Sequence, residues 1–551
     1  MTYNPRSMHR VPSASSRARA SPALRRAFSS VNGYVQDTII PTYHFQKSLT
    51  RLPIPKLEDS LTRYLAAVEP VVTPQQLADT QRAVRDFQNG VGPELQKTLM
   101  DRDAVNKHTS YINQWWLEMY LNDRQPLVVN YNPQVKLKMD PVAAKNTQRQ
   151  RASSLIASTV RAVSDEQILA NVDAILAEPL VKGTADAPGM GLMTTLNRDA
   201  WANAREKLVA GGSVNKASLE QIDSALFVVS LEHGSPATPE QVSQTFLVGD
   251  GSNHWFDKSF QLIVAANGTA SVNFEHAWGD GVAVLRYLNE LYNDSVKYPV
   301  LNASTQAKPN ELKWELNGET TQLLREAKKT FDNWTSRLLV ACAETPVTRA
   351  VGKEYNIGTD GLMQMTIQLA HFKLHQKFVA TYESASTAAF KHGRTETVRS
   401  CTNEATAFVR TMVDASASDN EKVNALRAAV TKHSELTKNG VMGQGFDRHL
   451  FGLRAIAELQ GMDVPELFTL PAHQTMSKII LSTSTLSSPA LEGGSFGPVN
   501  ENCYGIGYGI EKEGSAFQLS SYRKDLPQLQ ELLVESLVDL ERLLADTTPK
   551  K

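Results

Sequence analysis

The chain has 551 residues, of which 41% are hydrophobic and 21% are charged, a composition typical of a folded globular protein. A single hydrophobic core stops growing at roughly 250–300 residues, so this length predicts more than one core. The net charge of -1 excludes an overall electrostatic attraction to nucleic acid, and an anionic ligand must be bound by a local cluster. Three cysteines are too few and too far apart for a disulfide framework and favour a reducing compartment.

The first thirty residues differ from the rest of the chain. They contain six arginines interleaved with serines, and the first acidic residue of the chain is Asp37. Because mitochondrial transit peptides are rich in Arg and Ser and poor in acidic residues, residues 1–30 are predicted to be such a peptide. A disordered basic tail would have the same composition. The absence of an apolar stretch argues against a secretory signal.

Helical periodicity dominates the chain up to about residue 222. Pro53 and Pro55 favour extended backbone in the residues that precede them, and a helix follows in which the apolar residues share one face: Leu57, Leu61, Tyr64, Leu65 and Val68. Further helical patterns run through Trp115–Tyr120 and from Ser154 to Ile222. A Gly/Ala-rich loop at Lys182–Gly191 interrupts the second pattern.

A β-hairpin is predicted next. Phe260–Ala265 and Ser271–His276 are strand-like, and Asn267-Gly268 lies between them. Asn-Gly between two strand patterns predicts a tight type I′ turn, in which both central residues have positive φ. Helical periodicity returns at Gly281.

A polar stretch at Asn302–Asn310 is interpreted as a linker. After it the sequence predicts long helices, strands at Lys478–Thr483 and Tyr504–Ile510, and a closing helix at Leu526–Leu544. Helices and strands alternate without a repeat. This pattern predicts an α/β or α+β chain in two halves, 111–310 and 311–551, preceded by a helical segment at 45–110.

The run His276–Gly281 is the first candidate for chemistry, because it lies where a predicted strand ends and a helix begins. Open α/β folds bind their ligands at such junctions, and a histidine there can act as a base near neutral pH. Asp280 has two interpretations: it orients the neighbouring loop, or it caps the following helix.

Three polar runs in the second half give further candidates. Ser482–Thr485 would place alternate hydroxyls on one face of a strand, where they could stabilise an oxyanion, or it is a polar edge strand. The region Tyr382–Thr397 is dense in hydrogen-bond donors, although solvated helix and loop residues would have the same composition. Arg448 could bind a carboxylate bidentately, or it pairs with a neighbouring acid on a helix face. Gly505–Gly509 is interpreted as a strand, since a charged turn and not a helix follows it.

Six stretches, in order and spread over nearly the whole chain after residue 30, resemble the choline/carnitine acyltransferase family. They are LPIPKLED (52–59), WFDKSF (255–260), FEHAWGDGVAVL (274–285), TYESASTAAFKHGRTET (381–397), GQGFDRHLF (443–451) and LSTSTLSSP (481–489). The resemblance implies two chloramphenicol-acetyltransferase-like α/β halves with an active-site tunnel at their interface, and residues 45–110 packed with the second half. It also implies reversible acyl transfer between coenzyme A and L-carnitine, without a covalent acyl-enzyme.

The resemblance also assigns roles to residues. His276 matches the general base, Ser484 matches the hydroxyl that stabilises the oxyanion, and Asp280 lies in the same catalytic motif as His276. Carnitine-binding positions are matched by Tyr382, Ser384, Thr395, Arg448, Ser482 and Phe496. Arg448 would bind the carboxylate and the Phe496 ring would face the trimethylammonium.

Gly494 bears on the length of the acyl group. In the short-chain branch of the family a bulky side chain closes the acyl tunnel at the matching position. Glycine leaves the tunnel open, so the resemblance implies a long-chain fatty acyl substrate.

The sequence departs from the family at two places. Soon after Arg161 it lacks a sizeable segment that family members carry. That segment includes strands of the first half and the insert that seats the long-chain enzyme on the inner membrane. Its loss would expose sheet edges. Family members have several lysines in the loop that binds the phosphates of coenzyme A. In this sequence only Lys353 remains, and Asp360 matches the end of the loop. A single lysine is a weaker phosphate clamp than several.

The expected partners are acyl-CoA and L-carnitine as substrates, with no cofactor, no metal and no nucleic acid. The expected location is the matrix side of the mitochondrial inner membrane, with peripheral membrane association left open by the missing segment. Two alternatives stay open. One is a non-catalytic truncated form of such an enzyme. The other is an acyltransferase for another acceptor such as choline, which has no carboxylate for Tyr382, Thr395 and Arg448 to hold.

Overall fold

The computed structural model describes residues 45, 48–160, 165–178, 189–302 and 307–550. Its α-helices, in chain order from α1 to α18, are Leu57–Val68, Pro74–Asn89, Gly92–Val105, Asn113–Asn122, Gln148–Val160, Asp165–Ala177, Arg198–Ala210, Ser213–Ser224, Pro239–Leu247, Gly281–Ser295, Gly318–Thr335, Ala350–Glu354, Thr359–His375, Asn403–Val413, Asp419–Val441, Asp447–Leu459, Pro471–Ser477 and Leu526–Thr547. Its strands, from β1 to β11, are Gln134–Leu137, Val228–Glu232, Phe260–Ala265, Ala270–Phe274, Leu339–Thr345, Thr381–Ser386, Thr395–Val398, Leu481–Ser484, Leu491–Ser495, Tyr504–Ile510 and Ser515–Ser521.

Strands of the first half form a five-stranded sheet in the order β2-β3-β4-β1-β9. Strands β2 and β3 are parallel and the other pairs are antiparallel. Helices α5, α6 and α10 contribute to the core beside this sheet through Leu155, Val172 and Leu288. The last strand, β9, begins at Leu491, so the second half of the sequence supplies a strand to the first sheet and joins the two halves.

The predicted hairpin forms, but its turn differs from the prediction. Strands β3 and β4 pair antiparallel, with Phe260 opposite Phe274. Gly268 has φ +80°, whereas Asn267 is not among the residues with positive φ. The Gly268 N–H donates to Ala265 O at 2.9 Å, and the Ala265 N–H donates to Thr269 O at 2.8 Å. A type I′ turn needs two residues at positive φ, so the type I′ assignment was wrong. A single glycine at positive φ reverses the direction of the chain.

The second half forms a six-stranded sheet in the order β5-β11-β10-β8-β6-β7. Strand β8 lies parallel to both β10 and β6, and the remaining pairs are antiparallel. Helices α13, α15 and α18 cover one face, where Leu369, Leu426 and Leu537 enter the largest core cluster. The predicted α/β class with two sheets is confirmed, whereas the bounds 111–310 and 311–551 stay predictions.

The N-terminal helices pack against the second half. Leu57, Leu61 and Tyr64 of α1 share a hydrophobic cluster with Leu453 of α16 and Met476 of α17. Helix α2 begins with a capping box, in which the Thr73 side chain accepts from the Gln76 N–H, and Pro74 occupies its first turn.

Three predicted segments lie wholly or partly outside the described residues. They are the transit peptide at 1–30, residues 182–188 of the predicted Gly/Ala loop at Lys182–Gly191, and residues 303–306 of the linker. Several strands were missed by the sequence analysis: β1, β2, β5, β6, β7, β9 and β11. In the described part of the chain, no helix combines the length and the apolar character that crossing a membrane requires.

Candidate active site

A cavity of about 1110 Å³ lies where the two sheets meet. Its walls come from strands β1, β6, β8, β9 and β10, the end of β4 and helix α4. It contains most of the residues singled out in the sequence: His276, Asp280, Tyr382, Ser384, Thr395, Ser482, Ser484, Gly494 and Phe496. Side chains that are separated by more than two hundred positions in the chain therefore share one chamber.

His276 follows strand β4 and faces this cavity. Its ring stacks on Tyr120 of α4, with centroids 5.4 Å apart and an interplanar angle of 10°. Burial lowers the pKa of the imidazole, and the nearby Asp280 carboxylate opposes this effect. The imidazole is therefore neutral near pH 7, which is the form that a general base requires.

Asp280 is held by Arg394, a residue the sequence analysis did not single out. Arg394 Nε and Nη2 donate to the two carboxylate oxygens at 2.6 and 3.2 Å. The same guanidinium donates to Ala277 O at 2.8 Å and to His276 O at 3.0 Å. Asp280 lies 3.5 Å from His276 Nδ1. The only sequence signal for Arg394 was its place in the donor-rich run before Thr395.

The two interpretations of Asp280 can now be separated. It occupies the position before helix α10, but its side chain makes no capping hydrogen bond. The carboxylate is engaged by Arg394 and lies near His276 instead. Its geometry therefore fits orientation of the histidine loop better than helix capping.

Ser482 and Ser484 lie on strand β8, in the middle of the second sheet. Ser482 is opposite Tyr382 on β6, and Ser484 is opposite Gly507 on β10. Alternate residues of a strand point to the same face, so both serines project towards the cavity, which they line together with Tyr382. The polar-edge interpretation was wrong, because β8 has a neighbour on each side.

Arg448 lies immediately behind the cavity wall and is buried. Its Nε donates to Thr395 O at 2.8 Å, and its Nη2 donates to Thr395 Oγ1 at 3.2 Å and to Tyr382 OH at 3.4 Å. The guanidinium stacks 3.8 Å from the centre of the Trp116 ring, a cation–π contact. The cluster predicted from Tyr382, Thr395 and Arg448 therefore assembles in space. Trp116 was predicted only as part of a helix, and its contact with Arg448 was not foreseen.

Glu396 accompanies Arg448 in this buried cluster. Its carboxylate accepts the Arg448 backbone N–H at 3.3 Å and the Thr397 N–H at 2.8 Å. Burial raises the pKa of Glu396, while the charge of Arg448 acts in the opposite direction. The opposite charges of the two side chains limit the cost of burying each of them.

Gly494 lies on β9, opposite Val135 of β1. A Cβ at this position would lie 2.8 Å from Gln134 O. The close approach of β1 therefore explains the glycine, which also lines the cavity; its role in acyl length stays a prediction.

The two residues assigned to coenzyme A do not line the cavity. Lys353 is exposed on the short helix α12. Asp360, in the first turn of α13, accepts from the Tyr508 hydroxyl at 2.7 Å and lies 3.0 Å from His433 Nε2. Their roles stay predictions.

Comparison with known proteins identifies the class. A profile of the family described as Choline/Carnitine o-acyltransferase matches residues 52–165 and 160–537. The chain belongs to this family, and the resemblance inferred from its motifs is confirmed. The two matched segments meet at residues 160–165, close to Arg161, after which a missing segment is expected from the sequence. Residues 161–164 lie outside the described part of the chain.

Particular relatives can also be named. The chain is 33% identical to carnitine O-palmitoyltransferase 2, mitochondrial, of Bos taurus, over 92% of this chain and 94% of that protein. It is 35% identical to the same protein of Mus musculus, over 91% and 93% of the two chains. Peroxisomal carnitine O-octanoyltransferase of Bos taurus is 29% identical, over 93% and 99%. The first alignment spans 627 positions, more than this whole chain, so it contains stretches without a counterpart here.

Proposed function

We propose that this protein transfers a long-chain fatty acyl group reversibly between coenzyme A and L-carnitine, with His276 as the general base. The observation that carries the proposal is the convergence of His276, Ser484 and the Tyr382–Thr395–Arg448 cluster on one cavity. Family membership and relatives named for palmitoyl transfer support it.

The reaction follows from these side chains. The neutral His276 imidazole removes the proton of the carnitine hydroxyl while the hydroxyl oxygen attacks the thioester carbonyl carbon. The Ser484 hydroxyl donates to the resulting oxyanion. When the tetrahedral intermediate collapses, the carbon–sulfur bond breaks and the departing thiolate takes the proton back from His276. Asp280, 3.5 Å from the ring, stabilises the transient imidazolium.

Acceptor choice rests on the cluster around Arg448. Arg448 supplies a positive charge, and the hydroxyls of Tyr382 and Thr395 lie between it and the cavity. The carboxylate of carnitine complements such a group, whereas choline has none. Ser384 and Ser482 supply further hydroxyls, and Phe496 supplies a ring for the trimethylammonium.

Turnover of palmitoyl-CoA by the full chain tests this proposal, with carnitine or choline as acceptor and His276→Ala beside the parent. We expect carnitine-dependent release of coenzyme A in the parent, little with choline, and a loss of about 10²–10⁴-fold in His276→Ala. Activity with choline alone would contradict the carnitine assignment.

A non-catalytic form is the second candidate, because the alignments contain stretches that this chain lacks. That form would fold and bind carnitine but would not turn over. A cooperative thermal transition without any release of coenzyme A would favour it.

The expected location is the matrix side of the mitochondrial inner membrane. Two of the relatives above are mitochondrial by name, and the arginine-rich start supports import. Peripheral membrane association belongs to the same proposal. Import of a reporter fused to residues 1–40, followed by protease protection and alkaline extraction of the full chain, would test both points.

Lys353 and Asp360 remain the expected contacts for coenzyme A, although neither of them lines the cavity. Lys353 is exposed and available to a phosphate group. A single exposed lysine would contribute a small, salt-sensitive share of the affinity for coenzyme A.

A further inference from the structure

A buried polar network lies beneath the strands that carry the site, on the face away from the cavity. Tyr382 and Ser482 lie side by side on β6 and β8, and the next pair along the same two strands is Glu383 and Thr483. Because successive side chains of a strand point to opposite faces, Glu383 and Thr483 project towards helices α13 and α15. The side chains of this second layer therefore alternate along the chain with those of the site.

Thr483 links the two strands through its side chain. Its hydroxyl donates to Tyr382 O at 2.9 Å, and Gln364 Nε2 donates to Thr483 Oγ1 at 2.9 Å. The same amide donates to the Tyr508 hydroxyl on β10 at 3.1 Å. One side chain of α13 thus connects β8 and β10, and Thr483 connects β8 to β6.

His433 of α15 closes the network. The side chain is almost completely buried, and its Nε2 lies 3.0 Å from Asp360 Oδ2 and 3.3 Å from Glu383 Oε2. The Tyr508 hydroxyl lies 2.7 Å from Asp360 Oδ1 and 2.9 Å from Glu383 Oε1. A phenol has one proton to donate, so it satisfies one of the two carboxylates at a time.

The charges in this cluster explain why a histidine is placed there. Burial disfavours the charge on Glu383 and raises its pKa. Burial also opposes a charge on His433, but its contacts with Asp360 and Glu383 raise the pKa of the imidazole. The His433 ring therefore lies between two acids that would otherwise repel one another. Removing it would leave the buried Glu383 carboxylate and the partly exposed Asp360 carboxylate with one hydroxyl between them.

We propose that His433 is a positioning residue for the acyl-transfer site. By holding Asp360 and Glu383 against Tyr508, it keeps β6 and β8 in the relation that places Tyr382, Ser482 and Ser484 around the acceptor. The hydrogen bonds of this buried network are directional, so they hold one arrangement of the strands where an apolar layer would permit them to slide. This inference rests on the proposed function, because it takes the acceptor to be carnitine.

The test uses the full chain with His433→Leu, His433→Gln and the matched control His371→Leu. His371 is also a buried histidine of the second half; it lies on α13, and its Nδ1 is 3.2 Å from Lys377 O. The steady-state KM for carnitine, kcat and the thermal unfolding midpoint are measured for each. Loss of folded protein lowers kcat without changing KM, whereas displaced carnitine-binding groups raise KM.

We expect KM for carnitine to rise about tenfold in His433→Leu and about threefold in His433→Gln, which keeps one donor. His371→Leu should lower the unfolding midpoint without changing KM. An unchanged KM in both His433 variants, or an equal rise in the control, would overturn the inference. If the leucine variant does not fold, the glutamine variant decides in the same way. A parent without carnitine-dependent turnover would overturn the proposed function and this inference with it.

Discussion

Replacing Arg394 by alanine tests how His276, the proposed general base, is oriented. In the structure one guanidinium binds both carboxylate oxygens of Asp280 and the backbone carbonyls of His276 and Ala277. The alanine variant leaves Asp280, whose side chain is only 10% exposed, without its cation. The loop that carries the base loses four anchoring hydrogen bonds at the same time.

Two magnitudes follow from this geometry. Breaking a largely buried ion pair costs about 3 kcal/mol of stability, the lower end of the usual range because the pair is not fully buried. A displacement of the base by about 1 Å lowers kcat about 10²-fold, which corresponds to about 2.7 kcal/mol of transition-state stabilisation. Because the imidazole contributes to the chemical step, KM for carnitine should change much less than kcat.

The pH dependence gives a sign that loss of stability cannot imitate. Burial lowers the pKa of His276, and the positive charge of Arg394 lowers it further. Removing Arg394 raises that pKa, so the base becomes protonated at a higher pH. The acid limb of kcat/KM should therefore move to higher pH in Arg394→Ala.

The assay is the pH profile of kcat/KM for palmitoyl transfer, with Arg399→Ala as the control. Arg399 forms a comparable pair with Asp447, with side chains 11% and 15% exposed, and donates to Met476 O at 2.9 Å. The control should lose similar stability and keep the parent's acid limb. An acid limb that stays in place in Arg394→Ala, or moves to lower pH, would refute the reasoning.

Three further predictions address the acceptor, the acyl group and coenzyme A. In Arg448→Gln, KM for carnitine should rise about 10²-fold while KM for palmitoyl-CoA changes little, because a neutral amide cannot form an ion pair with a carboxylate. Equal changes for both substrates in steady-state kinetics would argue against a carnitine-specific role. In Gly494→Met, both activities should fall because a Cβ would meet Gln134 O at 2.8 Å, and palmitoyl transfer should fall at least about tenfold more than acetyl transfer because the larger side chain also narrows the cavity. Equal losses in a chain-length series would argue against a role of this position in acyl length. In Lys353→Ala, KM for coenzyme A should rise about twofold at low ionic strength and match the parent in about 0.5 M salt, because salt screens an exposed charge. A rise in KM that persists in salt would contradict a purely electrostatic contact.

Local sequence signals predicted the helices and the regular strands. The apolar spacing of Leu57–Val68 and of Gly281–Ser295 gave helices that the structure contains, and Tyr504–Ile510 is a strand as predicted. The strands that were missed have a different composition. Strands β6 and β7, Thr381–Ser386 and Thr395–Val398, present polar side chains to the cavity or to the buried network, and β9 contains two glycines. A strand built around a polar chamber lacks the apolar alternation by which strands are recognised.

The sequence by itself determined the family, the order of its motifs and the residue types needed for general-base catalysis and for binding a carboxylate. These are properties of short segments, and a segment retains its residues whatever surrounds it. Only the tertiary structure decided which of them meet. The pairing of Asp280 with Arg394, the stacking of Arg448 on Trp116 and the entry of β9 into the first sheet join residues more than one hundred positions apart. Such contacts depend on how the two sheets pack, and no local pattern encodes that packing.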